Sequence, residues 1–91
     1  MIKTFRSKAL SGLFAGSGSK IDARLRKRIA TRLDTLDRAS TLENLVITGY
    51  DFHALKGFKP KRYTIHVNGP WCITFEFSGG HAFQVDLEQY H

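Results

Sequence analysis

The chain reads as one α+β domain in which two helices pack on a small, mainly antiparallel sheet that a short N-terminal strand joins. Three observations predict it. Apolar residues recur at helical spacing between residues 7 and 38, they alternate with polar ones from Tyr63 onward, and Asn68-Gly69 separates two of the alternating runs. With 91 residues, 42% of them hydrophobic, there is apolar surface for one core and not for two, so the domain spans 1–91.

Each element has its own local signal. "MIKTF" alternates and predicts the first strand. Ser7 can cap a helix whose apolar positions are Leu10, Leu13 and Phe14, and Gly16 stops it. A longer helix follows "SGS", with Ser19 and Asp22 at the spacing of a capping box and Ile21, Leu25, Ile29, Leu33 and Leu36 forming one stripe. Lys20, Lys27 and Arg38 point away from that stripe, Arg24 and Arg26 lie to its sides, and Arg28 and Arg32 fall on its flank. Ser40 and Glu43 of "STLENL" repeat the cap logic and predict one more helical turn before "VITGYDFHAL" extends.

"YTIHV" and "PWCITFEF" flank Asn68-Gly69, a strong hairpin signal because both residues tolerate positive φ, and "SGGH" turns the chain again into "AFQVDLEQYH". A two-residue turn there pairs Ile65 with Cys72 and His66 with Trp71. Alternation then sets Trp71, Ile73, Phe75 and Phe77 over the helices beside Phe83, Val85 and Leu87. The opposite face carries Tyr63, Ile65, Val67, Cys72 and Thr74 near Gln84, Asp86 and Glu88, a half-polar surface suited to a ligand. A bulged loop that includes Pro70 would change which side chains meet.

Charge narrows the partners. The formal charge is +6; residues 20–38 carry seven cations and three anions, and no Lys or Arg follows Arg62. That asymmetry suggests a polyanion such as nucleic acid, and the basic long helix could equally attract an acidic protein. The lone Cys72 cannot form an internal disulfide, and no apolar run approaches the roughly 20 residues that would span a bilayer. Ser11 and Gly12 break "KTFRSKALSGLFAGSGS" short of a secretory core, so the expected compartment is the cytoplasm, with no membrane partner.

The chemistry available is limited. His53, His66, His81 and His91 do not fall at short metal-ligand spacings, "GSGS" lacks the strand a phosphate loop needs, and nothing near Cys72 supports a nucleophile. Imidazole, phenol and ammonium groups remain at His53, Lys56, Tyr90 and His91. They can cleave RNA without a metal or cofactor: a base takes the 2′-OH proton, a cation steadies the phosphorane, and an acid protonates the leaving 5′-oxygen. His66 and His81 read as strand residues satisfied locally. A chain ending in Tyr-His is also unlike the small polar residues of an ordinary tail.

In order and spacing, "MIKTF", "LDTLDRASTLENL", "FHALKG", "IHVNGPWCITFEF" and the terminal "YH" resemble the HigB branch of the RelE superfamily of bacterial toxins, over essentially the whole chain. The resemblance implies a ribosome-dependent endonuclease that cuts mRNA in the ribosomal A site and so inhibits translation. It also implies inhibition by a helix-turn-helix antitoxin, HigA, through which alone the toxin would meet operator DNA. It makes His53, Lys56, Tyr90 and His91 the catalytic set.

Two positions depart from the family pattern. Cys72 stands where "WRITF" has arginine, and Gln89 where "DYH" has aspartate. Arginine offers a permanent charge and a forked donor to phosphate, and cysteine offers neither. Lys56, or Lys59, Lys61 and Arg62 as RNA-binding residues, are the cations able to replace it; Arg24, Lys27 and Arg28 are the expected antitoxin-binding residues. Two readings therefore compete: an RNA-cleaving toxin, and a non-enzymatic member that binds antitoxin, RNA or ribosome without cutting.

Overall fold

The computed structural model describes residues 1–17 and 20–89. Helix α1 spans Lys8–Phe14 and α2 spans Ala23–Arg38; a single 3₁₀ turn at Leu42–Leu45 leads to four strands, β1 (His53–Leu55), β2 (Arg62–Asn68), β3 (Trp71–Ser78) and β4 (His81–Gln89). The strands form an antiparallel meander in the order β1-β2-β3-β4. "MIKTF" does not make a full strand. It runs parallel to β4 and touches it through two isolated bridges, Ile2 with Ala82 and Phe5 with Val85.

Local chemistry sets the helix ends. The Ser7 hydroxyl accepts from the Leu10 N–H at 3.1 Å and so caps α1. After Ala15 the chain leaves the helix through Gly16, whose φ of 96° costs glycine little. Asp22 caps α2 by accepting from the Arg24 N–H at 2.9 Å. The Arg24 guanidinium also bonds that carboxylate and, with the backbone bond, holds its pKa below the ordinary value. The expected Ser19 half of that capping box lies outside the described residues. At the 3₁₀ turn the expected Ser40–Glu43 box is replaced: the Asn44 side-chain oxygen accepts from the Ser40 and Thr41 N–H groups at 3.0 and 3.1 Å. Asn44 falls in the reciprocal position once the turn starts one residue later than the sequence suggests.

One face of the sheet meets the helices. Ile29, Leu33 and Leu36 of the α2 stripe are fully buried with Leu10 of α1 and with Ile65, Ile73, Phe75 and Val85 of the sheet. The Ile2 N–H donates to the Asp37 carboxylate at 2.8 Å, which ties the N-terminal segment to α2.

The hairpin corrects the expected faces. Asn68 pairs with Trp71, His66 with Cys72, Ile65 with Ile73 and Thr64 with Thr74, with an irregularity between His66 and Asn68. The turn is thus Gly69-Pro70, with positive φ at Gly69 (56°), and not Asn68-Gly69. Proline explains the shift: in the expected register Pro70 would sit in the ladder opposite Val67 with no N–H to donate, whereas the turn tolerates it and a bulge at Val67 absorbs the extra residue. Tyr63, Ile65 and Val67 consequently lie on the helix side, while His66 and Thr64 join Cys72 and Thr74 on the other face. A second irregularity, between Thr74 and Glu76 on β3, pairs Glu76 with Phe83 and leaves Gln84 at a φ of 51°. Phe83 therefore leaves the helix side, where the alternation had placed it; Val85 and Leu87 stay.

The stripe carries a direct test. Leu33→Ala should cost about 2–5 kcal/mol, because a fully buried leucine leaves a cavity on truncation. A domain of this size should then melt lower by roughly 4–8 °C per kcal/mol. An unchanged melting temperature would mean that α2 does not pack through this stripe.

Candidate active site

The face turned away from the helices is a grid of side chains set by the strand pairing. In one row across β1 to β4 stand His53, Thr64, Thr74 and Asp86; the next toward the hairpin holds His66, Cys72 and Glu88; the row on the other side holds Leu55, Arg62, Glu76 and Phe83. A cleft of about 560 Å³ opens on the β1–β2 side of this grid, lined by Asp51, His53, Leu55, Thr64, His66 and Cys72 and closed by the Gly69-Pro70 turn.

Two imidazoles in the cleft are held by backbone carbonyls. His53 Nδ1 lies 2.8 Å from the Asp51 carbonyl, and His66 Nε2 lies 2.9 Å from that of Gly69. A carbonyl oxygen can only accept, so in each neutral ring the bonded nitrogen carries the proton and the other nitrogen carries the lone pair. For His53 that nitrogen is Nε2, available as a base. Asp51 adopts a φ of 46° where it presents its carbonyl to this ring.

Beside the cleft lies a buried polar network that alternation did not reveal. Arg62 is 2% exposed. Its Nη2 donates to the Thr74 hydroxyl at 3.0 Å and to the Gln84 carbonyl at 2.9 Å, and Nη1 pairs with Glu76 at 3.4 Å. Thr74 in turn donates to Glu88 at 2.5 Å. Arg62 is thus spent inside the protein, and the expectation that it offers charge to RNA does not hold, because a buried guanidinium is stable only when its donors are matched by acceptors.

The structure brings His53 and Cys72 into one cleft. Lys56 follows the last residue of β1 and is exposed just outside the lining; Lys59 and Lys61 are exposed on the loop that leads to β2. Tyr90 and His91 lie outside the described residues; the last described residue, Gln89, pairs with Trp71, next to the Cys72–Glu88 pair. Thr64 and His66 were not anticipated as site residues. Only the Pro70 effect on register signals them, since it decides which face they occupy.

Arg24, Lys27 and Arg28 line a separate groove of about 390 Å³ along α2 with Thr31 and Arg32. Arg28 and Arg32 reach the sheet, donating to the Val67 and His66 carbonyls at 3.3 and 2.6 Å. The Arg32 guanidinium lies 4.4 Å from the Tyr50 ring centre, and burial lowers its pKa from the usual arginine value.

Residues 3–91 match the family described as RelE-like toxin of type II toxin-antitoxin system HigB. The chain is 38% identical over 92 residues to Endoribonuclease HigB of Proteus vulgaris, with the whole of both chains covered.

Burial separates Arg62 from its loop neighbours experimentally. Arg62→Ala should cost about 3–5 kcal/mol by stranding Glu76 and Thr74 in a buried network. Lys59→Ala and Lys61→Ala should stay within about 0.5 kcal/mol of wild type. Denaturant melts of the three variants check this, and an Arg62→Ala protein as stable as the lysine variants would refute the buried network.

Proposed function

The chain belongs to the RelE-like HigB toxins of type II toxin-antitoxin systems, and from that premise we propose that it is an endoribonuclease that cuts mRNA in the ribosomal A site. The observation that carries this reading is the cleft, where His53 has its Nδ1–H engaged by the Asp51 carbonyl and its Nε2 lone pair available. In the proposed reaction His53 takes the proton of a ribose 2′-OH, whose oxygen attacks the adjacent phosphorus. Lys56 balances charge on the phosphorane, and His91 protonates the leaving 5′-oxygen. The products are a 2′,3′-cyclic phosphate and a 5′-hydroxyl. No metal ion is required, and Tyr90 stacks on an unpaired base.

A second reading, binding without cleavage, has one observation in its favour. No lysine or arginine is among the described residues that line the cleft, and Cys72 stands where the resemblance places arginine. A translation reaction with purified protein decides between them. Ribosome-dependent cuts within the mRNA, with 5′-hydroxyl ends, are expected. Cys72→Arg should raise cleavage by at least about tenfold, since one charged donor at a transition state is worth more than that elsewhere. Deleting Tyr90 and His91 should abolish cleavage at an unchanged melting temperature, because Val85 and Leu87 hold β4 to the core upstream. No cleavage by wild type or by Cys72→Arg would leave the binding reading as the better account.

A toxin of this type works against an antitoxin, and the proposed partner is a helix-turn-helix protein of the HigA kind that alone contacts operator DNA. We assign its acidic segment to the α2 groove at Arg24, Lys27 and Arg28. Affinity should fall steadily between about 50 and 500 mM salt and fall further in Lys27→Ala; an affinity indifferent to salt would place the contact elsewhere.

A further inference from the structure

Two buried side-chain polar atoms lack a protein hydrogen-bond partner among the described residues, Thr64 Oγ1 and His81 Nδ1, and of their residues only Thr64 lines the cleft. Its neighbour across the β2–β3 ladder, Thr74, shows what an ordinary buried threonine does here. The Thr74 hydroxyl accepts from Arg62 and donates its one proton to Glu88, so it has none left to give Thr64. Thr64 is 1% exposed and pairs on its other side with His53. Residues directly opposite on antiparallel strands have Cβ atoms about 5 Å apart, which puts the Thr64 hydroxyl and the His53 ring within reach of one small group between them.

We propose that the Thr64 hydroxyl binds the ribose 2′-hydroxyl of the nucleotide in the cleft and holds it beside His53, making this cleft selective for RNA over DNA. The inference rests on the endoribonuclease reading and names the residue that positions its reacting group. A buried polar group without a partner is costly, and a ligand in the cleft can supply the missing bond. The ligand group must both donate and accept, as a hydroxyl does, and must sit where the proposed base can take its proton. The 2′-OH meets both conditions, and it is the group by which a protein distinguishes RNA from DNA. The 2′-OH accepts from the Thr64 hydroxyl and keeps its own proton for His53; phosphate oxygens only accept and have no proton to give the base.

The test compares a tetranucleotide RNA with the DNA of the same sequence, each titrated against wild type, Thr64→Val and Thr64→Ser by NMR, alongside thermal melts without ligand. Wild type should prefer the RNA by about tenfold, the effect of one added hydrogen bond. Thr64→Val should bring that ratio close to one and melt at the wild-type temperature or above, because its methyl replaces a hydroxyl that has no protein partner. Thr64→Ser should keep the preference. RNA preference retained in Thr64→Val would overturn this inference alone, and a lower melting temperature in that variant would overturn it by showing that the hydroxyl is structural. No preference in wild type would also overturn it, and the translation assay would then say separately whether the endoribonuclease reading stands.

Discussion

Everything on the polar side of this sheet depends on where the β2–β3 hairpin turns. Strand side chains alternate with period two, so a shift of one residue exchanges the two faces of β2 against a fixed β3. Turning at Gly69-Pro70 with a bulge at Val67 sets Ile65 beside Ile73, both fully buried, and sets His66 and Thr64 beside Cys72 and Thr74. The alternative turn would put Ile65 next to Cys72 and Thr64 under the helices, with polar groups in the core and apolar ones in the cleft. Burial of apolar surface thus enforces the register, and the register assembles the cleft.

The second dependence is on the buried arginine. Arg62 joins β2 to β3 through Thr74 and Glu76 and reaches the backbone of β4 at Gln84, where the second bulge turns a carbonyl toward it. Without the bulge, regular pairing would commit that carbonyl to the ladder or aim it elsewhere. The irregular stretch of β4 therefore has a use: it supplies an acceptor that a buried guanidinium needs. The Gln84 N–H meanwhile donates to the Thr4 hydroxyl at 2.8 Å, so the same bulge anchors the N-terminal segment.

How much of this was legible depended on whether the signal was local. Ser7, Gly16 and the α2 stripe are governed by contacts within a few residues, and the structure has them where the spacing put them. The hairpin was misplaced by one residue because Asn68-Gly69 is a strong turn signal and the opposing effect, the missing N–H of Pro70, acts only through the partner strand. Arg62 read as a surface cation because a basic loop precedes it, and alternation cannot say whether a polar face is covered. In the candidate site, motifs point to His53 and Cys72, whereas Thr64 and His66 look like ordinary strand residues until the register is known. The N-terminal strand shrank to two bridges for a related reason: its alternation is real, but it follows β4 through a bulge that breaks regular pairing.

The charge distribution limits how a polyanion can lie on this surface. No lysine or arginine follows Arg62, so β3 and β4 bring only carboxylates, Glu76, Asp86 and Glu88, to the polar face. Arg62 pairs with Glu76, and Thr74 donates to Glu88, but a hydroxyl does not cancel a charge and no described bond places a cation on Asp86. The β4 side of the grid is therefore repulsive to phosphate, while Lys56, Lys59 and Lys61 lie on the β1 side. On the proposed reading, a strand of RNA entering the cleft would be steered along β1 and the loop before β2, with its sugar edge toward His53 and Thr64. An arginine at position 72 would extend the favourable surface one strand further, toward Glu88. On that reading cysteine narrows it, and the lysines of the β1–β2 loop would carry more of the attraction.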